Sequence, residues 1–333
     1  MEISPSIVEF VVGALVCLGT SWVLVTRLEM IGERFGFSEA ILGMLAALAA
    51  DTPEITAAIT ALAHHERAVG AGVIIGSNVF NLAALLGIGA VVAGHLLLHR
   101  KVVLLGGAVG LWMATVCLLS VENVFPAALG FALAFVVLVA YVSVLAAHRT
   151  ALRRLPLPPT WAAWVATAVD EEELELVVAI RPKRGTPRDA LVAIVALLVV
   201  VGAAVSMERG ATALGHHYAV AGVVVGGLVL AAVTSLPNAV AAVYLAAKGR
   251  GAAAFSTALN SNTLNVVAGL LLPATFIGLA RASGPTILIA GAYLGLTALT
   301  LGLAYAGRGL RRWAGWLIIA GYAAFVVGLV AAS

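Results

Sequence analysis

The chain has 333 residues, of which 62% are hydrophobic and 11% charged, with a mean hydropathy of +1.09. Soluble domains average about 45–50% apolar and about 25% charged residues, so this composition excludes an ordinary soluble protein and predicts an all-α polytopic membrane protein surrounded by lipid. The formal net charge of +3 is spread between apolar runs and forms no single patch, which gives no support to a nucleic-acid partner.

Runs of about 20 apolar residues, the length that spans a bilayer, predict ten helices at 6–26, 36–63, 69–94, 102–120, 124–147, 188–206, 218–246, 252–280, 285–305 and 310–331. The first run follows Glu2 with no basic segment before it and exceeds a signal-peptide core, so it reads as a retained span. The second holds AALAADTPEITAAITAL, where Asp51 and Glu54 flank Pro53. A charged side chain near the bilayer centre costs about 2.5–3.5 kcal/mol on insertion scales, so the pair requires a cation, protons or polar partners. Glu9 and Glu39 lie near span ends and read as solvated, while His64, His65 and Glu66 read as an outer helix terminus. Cys17 and Cys117 fall within apolar spans and suggest neither a disulfide framework nor a thiolate metal site.

The long polar interruption at 148–187 divides the chain into two five-helix halves, 1–147 and 188–333. It carries Arg149, Arg153 and Arg154, an acidic run at 170–175, and Arg181, Lys183 and Arg184. With the N-terminus outside, 16 of the 19 basic residues fall in inward segments, leaving Arg67, Arg209 and Arg281 outside. The positive-inside rule therefore places both termini outside and the central loop in the cytoplasm, with the cell membrane as the expected location.

The two halves resemble each other. The offset of 184 that aligns Pro53 with Pro237 also superposes Gly43 on Gly227, Ser77 on Ser261, Asn78 on Asn262 and Asn81 on Asn265. Because each half has an odd number of spans, the repeats enter the membrane from opposite sides, the inverted-topology arrangement found in many secondary transporters. Each proline should interrupt its helix and release the carbonyls of Ala49 and Val233. Glu54 and Asn238 follow the prolines, Asp51 corresponds to Ser235, and Thr52 and Thr234 add hydroxyls: all are hard oxygen ligands of the kind Na⁺ and Ca²⁺ take. Ser77 with Asn81, and Ser261 with Asn265, lie four residues apart on one helix face and could complete a shell. Taken alone, a membrane proline can be only a kink, and Asn78 and Asn262 read as hydrogen-bonding glue between helices.

The segments DTPEITAAITAL with GSNVFNLAALLG, and TSLPNAVAAVYLA with NSNTLNVVAGLL, resemble the two alpha repeats of the cation/calcium antiporter superfamily, particularly its sodium/calcium exchanger branch. The resemblance implies ten helices, with spans two, three, seven and eight around the ions and long spans one and six sliding across that core. It implies a site lined by Glu54, Ser77, Asn81, Thr234, Ser235, Asn238, Ser261 and Asn265. To these Asp51 is added as a local departure from the family's threonine-serine-leucine-proline-glutamate pattern. The second repeat departs too, with Asn238 for glutamate and Asn265 for aspartate, so its only acid beyond Asp189 is Glu208, mapped to an outer loop.

If both are ionised, Asp51 and Glu54 give a charge of −2, enough to balance one divalent ion, two monovalent ions or two protons. The expected function is cation antiport by alternating access, with Ca²⁺ exchanged for Na⁺ and no cofactor beyond the transported ions. Exchange of Na⁺ or another cation for H⁺, and a non-transporting cation sensor, remain alternatives. A channel lacks an evident filter, and an intramembrane enzyme lacks HExxH or a Ser, His and Asp arrangement.

Overall fold

The computed structural model describes residues 3–35, 39–146, 160, 163–167, 185–279 and 282–333. Most of the central polar segment, including its acidic run, and Arg281 lie outside the described residues. The first half contains α1 (Ile3–Phe35), α2 (Glu39–Ala50), α3 (Thr52–Ala63), α4 (Arg67–Ala93), β1 (His95–Leu97), α5 (Arg100–Val121) and α6 (Ala127–Ala146). The second contains α7 (Pro187–His217), α8 (Gly222–Thr234), α9 (Leu236–Ala247), α10 (251–277), α11 (Gly284–Gly307), β2 (Gly309–Arg311) and α12 (Arg312–Ala331).

Local sequence accounts for several boundaries. At the start of α7, Pro187 occupies the first turn, where no backbone N–H is needed, and Thr186 forms a capping box with Asp189. Ser283 and Thr286 do the same for α11 ahead of its apolar run. That helix ends on Arg308 in a left-handed conformation, followed by Gly309 at φ 125°. The chain then enters a two-stranded antiparallel ribbon in which Leu96 pairs with Leu310, a pairing that apolar runs alone did not predict.

Among the described residues seven helices are long and apolar enough to cross a membrane, or nine if each of two bent pairs is one span. The ten-span expectation differs by α10, a helical rod that dilutes its apolar residues with Asn260, Ser261, Asn262, Thr263 and Asn265, all buried. The bent pairs are α2 with α3, at 50°, and α8 with α9, at 49°. Their breaks fall on Asp51 (φ −80°, ψ −7°) and Ser235 (φ −83°, ψ −5°), two residues before the prolines. Each proline sits in the first turn of the following helix, where it is tolerated. The chain thus breaks on the polar residue and restarts through the proline.

Two packing units result. Buried residues of α2 to α6 and α8 to α12, joined by Met207 and Ala211 of α7, form one large apolar core. Cys17 and Leu24 of α1 pack with Ala193, Ala196, Val200, Ala203 and Ala204 of α7, and with Ala49, in a separate cluster. Gly13 lets α1 approach so closely that a Cβ there would lie 2.8 Å from the Ala203 carbonyl oxygen, and one on Gly210 would lie 2.6 Å from that of Ser6. Their outer faces expose Val8, Leu15 and Trp22, and Leu191, Ile194 and Leu198, which suits lipid contact.

Both helices are longer than their apolar runs suggest; α7 continues to His217, with Met207 and Gly210 still packed on α1 past residue 206. Glu208, mapped from sequence to an outer loop, therefore lies inside α7 and is buried, hydrogen-bonded by Thr212 at 2.9 Å. It lines a cavity of about 690 Å³ with Glu9, His64, Glu66 and His216, and is not among the partners of Asp51 or Glu54.

Candidate ion-binding site

The two helix breaks and the middles of α4 and α10 bring eight of the nine candidate residues into one buried polar cluster. Asp51, Glu54, Ser77, Asn81, Ser235 and Ser261 are wholly enclosed, as is Asn265, and Asn238 is 2% exposed. Asp51 Oδ1 accepts from Ser261 Oγ at 2.7 Å and from Asn238 Nδ2 at 2.6 Å. Glu54 Oε1 accepts from Ser235 Oγ at 2.5 Å, and its Oε2 accepts from Asn265 Nδ2. Each carboxylate of the first half is therefore held by one hydroxyl and one amide of the second.

Asparagine pairs link these contacts into a network. Asn81 donates through Nδ2 to Ser261 Oγ at 3.1 Å and to Asn262 Oδ1 at 3.0 Å. Asn265 also donates to Asn78 Oδ1 at 3.2 Å. Asn78 and Asn262 were expected as glue and do bond α4 to α10 through each other's carbonyls. They also hold the Asn81 and Asn265 amides, a second role that the repeated SNxxN spacing in GSNVFN and NSNTLN could have signalled.

Thr234 stands apart from this hydrogen-bond network. It is buried, but its hydroxyl donates back along its own helix to Leu230 O at 2.8 Å and Ala231 O at 3.3 Å. Thr52 likewise turns back to Leu48 O at 3.1 Å. The geometry does not join either hydroxyl to the carboxylates.

What remains unbonded is informative. Asp51 Oδ2, Ser77 Oγ, Asn81 Oδ1 and Asn265 Oδ1 are buried without a hydrogen-bond partner. A buried polar atom left unpaired costs about 1–3 kcal/mol, and four in one cluster are an unusual concentration. Ser77 Oγ lies beside Glu54 but does not meet hydrogen-bond geometry with any partner. All four are oxygens, the ligand type hard cations prefer. The buried charged residues among those described are Asp51, Glu54, Asp189 and Glu208. Asp189 is engaged elsewhere, with Arg27 at 2.7 Å and the start of α7, so among the described residues no basic side chain balances the central pair.

Backbone irregularity concentrates at the same residues. A π-helical turn at Leu82–Ile88 follows Asn81 directly, and another at Asn265–Leu271 begins on Asn265. A third, Val225–Leu230, precedes Thr234. Such turns appear often at functional sites because they re-aim side chains within a helix. Close helix approach is secured by glycine: a Cβ on Gly76, next to Ser77, would fall within the backbone of Gly227 in α8.

Known proteins share this architecture. An 87-residue stretch is 34% identical to the candidate antiporter CaxA of Alkalimonas amylolytica, covering 26% of this chain and 27% of that protein. The fold matches the sodium-calcium exchanger NCX_Mj with a TM-score of 0.62 at 18% identity, covering 98% of this chain and 99% of the other. It matches the H⁺/Ca²⁺ exchanger CAX with a TM-score of 0.69 at 11% identity, covering 98% and 87%. The sequence pattern of the sodium/calcium exchanger protein family extends over residues 5–179 and 189–331, almost the whole chain. An integral membrane protein with apolar spans around a buried acidic core, this chain belongs to the sodium/calcium exchanger protein family.

Proposed function

We propose that the protein is a secondary active antiporter that carries Ca²⁺ or a related cation in exchange for Na⁺, with Asp51, Glu54, Ser77, Asn81, Ser235, Asn238, Ser261 and Asn265 around the ion. The observation that carries this reading is the set of four unpartnered buried oxygens, one of them on Asp51, clustered with two carboxylates that no described basic side chain neutralises. A cation would supply the missing partner to those oxygens and offset the buried charge. An empty site would leave that charge uncompensated inside the membrane, disfavouring return without an ion and coupling the two fluxes. Thr234 contributes to this site only through its helix.

The reading includes ten spans in two inverted five-helix halves, 1–147 and 188–333, with both termini outside the cell membrane and the 148–187 loop in the cytoplasm. Contacts between connecting segments support that alternation. Each joins segments assigned to one side: Arg34 to Gly185 and Arg27 to Asp189, β1 to β2, and Glu66 to His216. The α1 and α7 pair shares a packing cluster and joins the main core through Met207 and Ala211 of α7, a limited seam that suits it to move against that core. Protons are the second candidate counter-ion, favoured by the fold likeness to an H⁺/Ca²⁺ exchanger and by two carboxylates able to carry them.

Reconstitution into proteoliposomes tests the proposal. Ca²⁺ uptake driven by an outward Na⁺ or H⁺ gradient, and abolished when neither counter-ion is present, is expected. Flux that dissipates a Ca²⁺ gradient without a counter-ion indicates a channel; binding without flux indicates a sensor. Either result would sink the antiport reading.

A further inference from the structure

We infer that the exchange is electroneutral, two monovalent charges moving against each divalent ion, an inference that rests on the antiport reading above. Its basis is the number of carboxylates in the buried cluster. Asp51 and Glu54 supply two, and the facing positions in the second half are the amides Asn238 and Asn265. Both amides point N–H groups at the carboxylates, so they partly satisfy the existing negative charge and add none of their own. Among the described residues the other buried acids are committed elsewhere, Asp189 to Arg27 and Glu208 to Thr212.

A site with two negative charges becomes neutral with one divalent ion or with two monovalent ions. A third monovalent ion would leave an uncompensated positive charge, because the described side chains hydrogen-bonded to the pair are neutral amides and hydroxyls. The two loaded forms that cross the membrane therefore carry the same net charge, and the membrane potential performs no net work on the cycle.

The test uses the wild-type protein in proteoliposomes, with Ca²⁺ distribution read at equilibrium under a fixed gradient of Na⁺, or of protons, at zero potential and at 100 mV set by K⁺ and valinomycin. A tenfold driving gradient should hold about a 100-fold Ca²⁺ ratio, the same at both potentials, whereas transfer of one net charge would shift that ratio about 50-fold per 100 mV. A shift of that size overturns the inference while leaving antiport intact. Failure to accumulate Ca²⁺ under either gradient overturns the antiport reading itself. The substitution Asn265→Asp adds a third carboxylate and should make the Ca²⁺ ratio depend on potential. A variant that exchanges yet stays insensitive would show that carboxylate number does not set the charge moved. The wild-type measurement decides the inference even where that variant fails to fold.

Discussion

Asn78 and Asn262 donate to each other's main-chain carbonyls, at 3.2 Å and 3.1 Å, across a sequence separation of 184. The same separation relates the two helix breaks at Asp51 and Ser235, whose backbone angles agree within a few degrees. A reciprocal bond between equivalent residues fixes the register of α4 against α10, and that register places Asn81 against Ser261 and Asn265 against Asn78. The glue and the candidate site are thus one piece of construction.

Replacing Asn78 or Asn262 with Ala is expected to destabilise the fold by about 1–3 kcal/mol each, because a main-chain carbonyl and a site amide both lose partners. The double variant should depart from additivity by at least about 0.5 kcal/mol. Thermal unfolding in detergent measures this, and strictly additive losses would show that the two residues act separately.

Glu54→Gln keeps the side-chain shape but replaces one accepting oxygen with an N–H donor, while Ser235 and Asn265 both still donate toward it. Loss of a charged acceptor, worth about 1.5–3 kcal/mol, predicts cation affinity weaker by about 10- to 100-fold. Calcium binding by calorimetry checks the value, and affinity within twofold of wild type would remove Glu54 from the site.

The Asp51 contact with Asn238 permits a charge swap. Asp51→Asn alone should weaken Ca²⁺ exchange at least about 10-fold, by the same loss of a charged acceptor. Adding Asn238→Asp restores a carboxylate opposite an amide with their roles reversed, so the double variant is expected to recover most of the lost flux. A double variant no better than the single would mean that the charge must sit on the first half.

Thr234 and Ser235 are neighbours with different assignments. Thr234→Val loses a bond that stays within its helix and should leave exchange within about threefold of wild type, while Ser235→Ala removes a direct donor to Glu54 and should cost about 10-fold. Equal losses would return Thr234 to the shell.

The reach of the sequence is visible in these same residues. The 184-residue offset located both helix interruptions and the Ser and Asn faces, because polar residues in apolar spans are few and their spacing sets which face they share. It could not say which side of each proline would break. Proline only removes its own N–H, whereas Asp51 and Ser235 have side chains that the opposite half engages. Thr234 looked like Ser235 in one dimension, and only the helix carbonyls at Leu230 and Ala231 distinguish it. Glu208 was misplaced because α7 is held past its most apolar run by glycine contacts with α1, information that hydropathy does not contain.

Glycine packing yields the last prediction. Gly76 precedes Ser77, and a Cβ at that position would meet Gly227 O at 2.2 Å, a clash with backbone that no rotamer change relieves. Gly76→Ala must push α4 from α8, costing about 1–3 kcal/mol as other overpacking substitutions do, and it shifts Ser77 relative to Glu54. Gly19→Ala is the matched control: nothing lies within 4 Å of its added carbon, and within a helix Ala is favoured over Gly by about 0.8–1.0 kcal/mol. The first variant should lower both melting temperature and Ca²⁺ exchange, while the second should leave exchange unchanged and raise or preserve stability. If Gly76→Ala retained wild-type stability and flux, the close approach of α4 and α8 would have no part in holding the site.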